Sequence, residues 1–486
     1  MIFTSIGFAI FLPVVFLLYW FATKGNFKFQ NILLLVSSYF FYGCWDWRFL
    51  FLLLFSTSLD FVTGIKIHDA ENKNTRKFWF WLSICVNLGF LGVFKYYDFF
   101  AASFADGLSS LGVHVDVWTL NVILPVGISF YTFHGLSYVI DTYNEKIKPE
   151  RNFINYAVFV SFFPLLVAGP IERATHLLPQ IIKKREFDYL KAVDGMRQIL
   201  WGLFKKMVVA DNCAEISNHI FGTYQTQSGS LLFLGAVAFA FQIYGDFSGY
   251  SDIAIGTAKL FGIDLLRNFS YPYFSRDIAE FWRRWHISLT SWLKDYLYIP
   301  LGGSRGTKAK VIRNTLVIFL VSGFWHGANW TFIAWGGFHA LLFLPLILWK
   351  TNRKNINIVA EGKHLPGFKE LFQILSTFIL VTFGWIFFRA ETIEKAADYI
   401  KRIFSFDTNY LDISSFTDLS SSLSGFTLLF SVLSVMVLIL VEWNNRDKSH
   451  GFDVSNKKFR WPMYIALCLS IYICQGGSSA FIYFQF

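Results

Sequence analysis

Charge is the scarcest property of this 486-residue chain: Asp, Glu, Lys and Arg together make 16% of it, where a soluble globular protein carries about a quarter. So few charges cannot cover the surface of a soluble fold of this length, which excludes a soluble enzyme and a disordered chain. Cysteine is also rare. Cys44, Cys85, Cys213, Cys468 and Cys474 show no metal-type spacing and mostly sit in apolar runs, so neither a disulfide scaffold nor a metal site is expected. There is no glycine-rich nucleotide loop, no repeat of fixed period and no inverted copy of one half in the other. No polar linker divides the chain, which reads as one domain over residues 1–486. No basic residue precedes the first apolar run, and Lys24 and Lys28 follow it. That pattern fits a retained first span better than a cleaved signal peptide.

What remains is apolar and aromatic. Hydrophobic residues reach 54% and aromatic residues 20%, with Phe 58 and Trp 17, and the mean hydropathy is +0.44. Side chains of this kind suit lipid tails and headgroups. The fold class is therefore an all-α polytopic membrane protein. The net charge of +10 is read as cytoplasmic loops enriched in Lys and Arg, not as a nucleic-acid surface.

Apolar runs long enough to cross about 30 Å of hydrocarbon lie near residues 4–21, 29–45, 48–65, 78–97, 119–140, 190–210, 231–250, 312–326, 330–349, 370–389, 425–442 and 461–478. The run 153–170 is broken by Pro164, Gly169 and Pro170 and reads as re-entrant, which requires the protein to bury the broken backbone. Loop charge alternates as this span order demands. Segments 98–118 and 211–230 carry acidic residues and no Lys or Arg, while 252–313 holds ten basic and five acidic residues. The basic segment then faces the cytoplasm and both termini face outside.

Two stretches carry most of the chemistry. In the first, Ile278, Phe281, Trp282, Trp285, Leu289 and Trp292 recur at helical spacing, with Arg283, Arg284 and Lys294 on other faces. This reads as an interfacial amphipathic helix whose basic face can meet phosphates. His286 sits at the edge of the stripe, where composition alone favours an interfacial histidine bonded to a backbone carbonyl. In the second stretch His326 ends an apolar span, with Ser322, Gly323 and Gly327 beside it. Small residues let helices approach closely, so His326 should face the protein interior. There an ionisable group is by default functional, and a neutral imidazole is an inexpensive base to bury. His339 reads as a packing histidine, and Asp60, Asn87, Lys95 and His134 as structural polar groups. Two histidines, a basic segment and a helical body suggest acyl transfer, which needs a thioester, a hydroxyl and a base. The histidines alone leave membrane enzyme and transporter both open.

FWRRWHISLTSWLKDYLYIPLGG at Phe281–Gly303, followed by SGFWHGANWTFIAWG from Ser322, strongly resembles the membrane-bound O-acyltransferase (MBOAT) family. The closer likeness is to its bacterial branch of alginate and peptidoglycan O-acetyltransferases and teichoic acid D-alanyltransferases. FYGCWDWRF, NLGFLGVFKYYDFF, PVGISFYTFHGLSYVIDTY, AGPIER and YGDFSGYSDIAIG extend it along nearly the whole chain, with the core motifs at about 240–345. The resemblance implies a multi-helix body with a central tunnel, a catalytic histidine at His326 and a second at His286. It further implies an acyl group, by chain length acetyl, taken from acetyl-CoA with no bound cofactor and no metal. The product would be an O-acetylated extracytoplasmic polysaccharide at the bacterial inner membrane, with a secreted serine-esterase-like partner. Alternatives are D-alanyl transfer from a carrier-protein thioester and, in a different class, a lipid-linked glycan flippase. Arg283, Arg284 and Lys294 are expected to bind donor phosphates. The final residues 481–486, FIYFQF, form an aromatic tail that should seek a groove or anchor at the interface. Its one hydroxyl, Tyr483, is similar in setting to an acyl-accepting tyrosine in the D-alanylation system, which suggests an acyl relay.

Overall fold

The computed structural model describes residues 1–486 except 121, 168, 406–418, 420–422, 453–456, 475–480 and 483–486. Among the described residues the regular structure is helical, with no strand. Six helical segments there are long and apolar enough to cross a membrane: Phe49–Asp69, Lys73–Ser110, Gly229–Leu260, Trp330–Leu348, Phe368–Arg389 and Gly425–Asn444. The chain is a polytopic helical membrane protein. Its described residues form two compact units, one of Met1–Met196 with Ala254–Leu266, the other of Arg197–Ile253 with Arg267–Phe486.

The first unit contains α1 (Ile6–Leu17), α2 (Phe27–Asp46), α3 (Phe49–Asp69), α4 (Lys73–Leu91), α5 (Tyr97–Ser110), α6 (Ile128–Tyr143), α7 (Phe153–Ser161), α8 (Phe163–Leu166) and α9 (Ala174–Ile181). Part of its polar interior is paired within the protein, as hydrocarbon surroundings favour. Asp60 on α3 accepts hydrogen bonds from Ser83 Oγ at 2.6 Å and Asn87 Nδ2 at 2.8 Å on α4. Asp60, Asn87 and His134 are therefore structural, the last accepting at Nε2 from the Glu172 amide at 3.2 Å.

The apolar run at 119–140 needs correction. No helix forms before Ile128, because Pro125 and Gly127 intervene. Gly127 has φ +75°, and a Cβ there would stand 2.1 Å from the Leu166 carbonyl oxygen, so only glycine fits. The run at 153–170 does break, at Phe162 between α7 and α8. The freed amide of Phe163 is taken by Ser38 Oγ at 3.0 Å.

The second unit holds the C-terminal part of α10 (Tyr189–Leu203) and most of α12 (Gly229–Leu260), with α11 (Asp211–Gly222), α13 (Ile278–Arg284), α14 (Ile287–Leu293), α15 (Lys308–His326), α16 (Trp330–Leu348), α17 (Phe368–Arg389), α18 (Ile393–Ile403), α19 (Gly425–Asn444) and α20 (Lys457–Ile473). The α15–α16 pair crosses at glycine on glycine. A Cβ on Gly323 would lie 2.2 Å from the Phe332 carbonyl oxygen, and one on Gly336 would lie 2.4 Å from that of Phe319. This contact fixes the end of α15, where His326 stands.

Candidate active site

The stretch read as one amphipathic helix is two short helices, α13 and α14, separated at His286. Asp277 caps α13 by accepting from the Glu280 amide at 2.7 Å. At His286 the backbone turns left-handed, with φ 42° and ψ 53°. The break is held by an extended neighbour, since Ser270 N donates to Arg284 O at 2.9 Å and Ile287 N to Asn268 O at 2.8 Å. The apolar stripe also differs from the expectation of an interfacial face. Phe281, Trp282, Trp285, Leu289 and Trp292 are all buried inside the protein. A periodic stripe looks the same whether lipid or protein covers it.

His286 is fully buried. Its Nδ1 lies 3.0 Å from Asn268 Oδ1, which also accepts from Ser288 Oγ at 2.9 Å. An oxygen at that position takes the imidazole proton on Nδ1. Nε2 therefore carries the lone pair, and it is buried with no hydrogen-bond partner among the described residues. The residue lies outside the helices long enough to span, and burial pushes its pKa well below the ordinary imidazole value, favouring this neutral form. The composition-led reading of a histidine tied to a backbone carbonyl gives way to a side-chain partner, Asn268. Sequence reasoning missed Asn268, because nothing in RNFSYPYF singles it out.

His326 is 2% exposed at the last residue of α15. Its ring centroid is 6.3 Å from that of His286, so the structure brings the two histidines together. Trp325, Trp335 and Phe388 surround it at 5.0, 5.1 and 5.3 Å. His339 lies apart, edge-on to Trp282 at 5.1 Å and pressed against Gly384, as its packing role requires.

A cavity of about 610 Å³ runs along α15 from Lys308 through Val311, Thr315 and Phe319 to Ser322, one helical turn before His326. Trp282, Ile318, Phe343 and Ile347 make its inner wall apolar, and Arg283, Lys294, Lys308, Lys350 and Arg353 make its mouth basic. Among the described residues the Trp282 indole N–H has no hydrogen-bond partner. Arg283 donates to the carbonyls of Asn352 and Asn355 at 2.7 and 2.6 Å. Lys294 is largely exposed, 3.5 Å from Asp295. Arg284 turns elsewhere, donating to Glu280 Oε1 at 2.7 Å.

The motif YGDFSGYSDIAIG places two aspartates against paired lysines. Lys205 meets Asp252 at 2.5 Å, and Lys206 meets Asp211 at 2.7 Å and Asp246 at 3.0 Å. These lysines lie inside the apolar run 190–210, a signal the sequence reading passed over. Asp246 also accepts from the Ile482 amide at 2.7 Å. Phe481 is buried with its ring 4.2 Å from that of Tyr250 and 6.2 Å from that of Phe247. Phe247 in turn stands 4.6 Å from His286. The start of the aromatic tail thus occupies a groove, whereas Tyr483 lies outside the described residues.

Comparison with known proteins agrees with this arrangement. The profile of the MBOAT, membrane-bound O-acyltransferase family, matches residues 142–387. The "Probable alginate O-acetylase AlgI" of Azotobacter vinelandii is 38% identical over 90% of this chain and 84% of its own. The peptidoglycan O-acetyltransferase of Helicobacter pylori is 33% identical over 98% of this chain and 95% of its own. The teichoic acid D-alanyltransferase of Bacillus subtilis is 30% identical over 56% of this chain and 70% of its own. With two buried histidines side by side, a basic-mouthed cavity one helical turn from one of them, and matches across its length, the chain belongs to the membrane-bound O-acyltransferase family.

Proposed function

We propose that this O-acyltransferase moves an acetyl group from acetyl-CoA, at the cytoplasmic face of a bacterial inner membrane, to an extracytoplasmic polysaccharide of the alginate or peptidoglycan kind. One observation carries the reading: a cavity with a basic mouth and apolar wall ends one turn from His326 and its neighbour His286. Arg283 and Lys294 at that mouth suit the donor's phosphates, and Arg284, tied to Glu280, stiffens α13 behind them. His326 is the base that takes the acceptor's hydroxyl proton as its oxygen attacks the thioester carbonyl. The C–S bond then breaks and the departing thiolate recovers the proton. The alternative is that His326 itself carries the acyl group transiently. His286 positions the donor. With its proton on Nδ1 it accepts hydrogen bonds, and polarising the thioester carbonyl would need a second proton on the ring.

In this reading 153–170 re-enters the membrane, a tunnel joins the two faces, and both termini lie outside. Tyr483 serves as an acyl relay to a serine-esterase-like partner or directly to sugar. The seating of Phe481 beside Phe247, itself against His286, supports that route. Family membership removes the flippase reading.

The test compares acetyl-CoA with a D-alanyl-charged carrier protein as donors to the purified, full-length enzyme. Acetyl-CoA consumption that falls by about 100- to 10,000-fold in His326→Ala, with normal purification of the variant, is the expected result. Consumption of the carrier thioester alone would reassign the acyl group. More than about a tenth of wild-type turnover in His326→Ala would remove this histidine from the chemistry.

A further inference from the structure

A second cavity, of about 410 Å³, lies where α17 ends, lined by the turn after α11, by Arg389 and Glu391, and by Tyr399. It stands at the opposite end of α17 from the basic-mouthed cavity, because α16 and α17 run antiparallel between Leu348 and Arg389. Phe388, the residue before Arg389, lies 5.3 Å from His326, ring to ring. One cavity thus reaches Ser322, four residues before His326, and the other reaches Arg389, the neighbour of a residue that touches it.

The charges of this cavity do not cancel. Lys395 is paired with Glu391, and Arg402 with Asp398 at 3.0 Å. Arg389 has no carboxylate within ion-pair distance among the described residues. Its guanidinium rests over the Phe221 ring at 5.5 Å and donates to Asn218 Oδ1 at 3.0 Å. That leaves a half-buried, oriented cation with donors to spare. Around it stand groups that suit hydroxyls and a sugar face: the rings of Phe221 and Tyr224, Thr223, Gln225 and Thr226. The rim is held in shape, since Arg402 Nη1 donates to Gln225 O at 2.8 Å and Asn329 Nδ2 to Glu391 O at 2.9 Å. The volume falls within the range of small-ligand pockets.

We propose that this cavity binds a carboxylate-bearing sugar unit, with Arg389 gripping the carboxylate through two parallel N–H donors. This rests on the acceptor side of the function proposed above. It favours a sugar over an acidic peptide because the one lining cation not in an ion pair among the described residues sits beside hydroxyl partners and aromatic rings, Lys395 being taken by Glu391.

Calorimetric titration of the full-length protein in detergent tests it, with a uronate trisaccharide and its carboxyl-reduced analogue as probes and no acyl donor present. Wild-type protein should bind the uronate at least about 10-fold more tightly than the reduced sugar. Arg389→Gln should abolish that difference, and Arg389→Lys should retain part of it. Gly222→Trp provides an independent variant: Gly222 lines the cavity, and among the described residues no atom lies within 4 Å of a Cβ there, so the indole can be accommodated at the cavity wall and should weaken both sugars. Equal affinity of wild type for the two sugars, or unaltered uronate binding in Gly222→Trp, would overturn the proposal. Tighter binding of a hexa-aspartate peptide than of the uronate would overturn it in favour of an acidic protein. Donor consumption by wild-type protein is measured separately, so failure of this site and failure of the reaction are distinguishable.

Discussion

His286 occupies a backbone conformation that penalises every side chain bearing a Cβ. Its φ of 42° places it in the left-handed region, at a cost of roughly 1–2 kcal/mol for a non-glycine residue. Folding alone would favour glycine at this joint between α13 and α14. There Asn268 holds Nδ1 and Nε2 is left buried without a hydrogen-bond partner among the described residues, and strain of this kind clusters at functional sites. Two variants separate these terms. His286→Ala and His286→Gly both remove the ring, but only glycine relieves the backbone. In thermal unfolding in detergent, His286→Gly should melt above His286→Ala, while both lose turnover or donor affinity. Equal melting points would show that the turn is unstrained. Unchanged turnover and donor affinity in both would return His286 to a packing role.

Helices α15 and α16 act as one part, because their glycines meet backbone to backbone. Gly323→Ala drives a methyl toward the Phe332 carbonyl oxygen at 2.2 Å, a contact only a shift of the helix relieves. Misplacing His326 by about 1 Å can cost on the order of 100-fold in rate. Gly323→Ala should therefore lower both melting point and turnover, with Gly337→Ala as the control, since a Cβ there meets only Leu320 Cδ2 at 3.8 Å. Matching behaviour of the two variants would mean the crossing does not set the histidine. This element was largely legible in sequence: Ser322, Gly323 and Gly327 around His326 announced a close helix contact facing inward. The joint at His286 was not, because WRRWH continues the apolar stripe without a glycine or proline to mark the turn. Asn268 pairs across the chain through its tertiary placement, which no local pattern records. Conversely, Pro125 and Gly127 did signal the break that a hydropathy sum over 119–140 averaged away. The lysines at 205 and 206 were visible, but their partners Asp246 and Asp252 become evident only once α10 and α12 are folded together.

At the scale of the whole chain, the second unit carries a cavity near each end of α17, and aromatic side chains ring His326. The two cavities at opposite ends of α17 have an electrical consequence. If the donor's phosphates stay at the basic mouth and a carboxylate stays with Arg389, the acyl group crosses outward as a formal acylium of charge +1, leaving its electron pair on the thiolate. The acceptor's hydroxyl proton crosses inward to the thiol, so each side exchanges one for the other and ends with the charge it began with. A membrane potential of 100 mV does about 2.3 kcal/mol of work on each elementary charge that crosses, enough to alter a rate by up to about 50-fold. In proteoliposomes clamped with potassium and valinomycin, turnover should be the same at zero and at 100 mV of either sign. A several-fold dependence on voltage would reveal net charge moving through the enzyme in each cycle, and with it a different division of the reaction between the two faces.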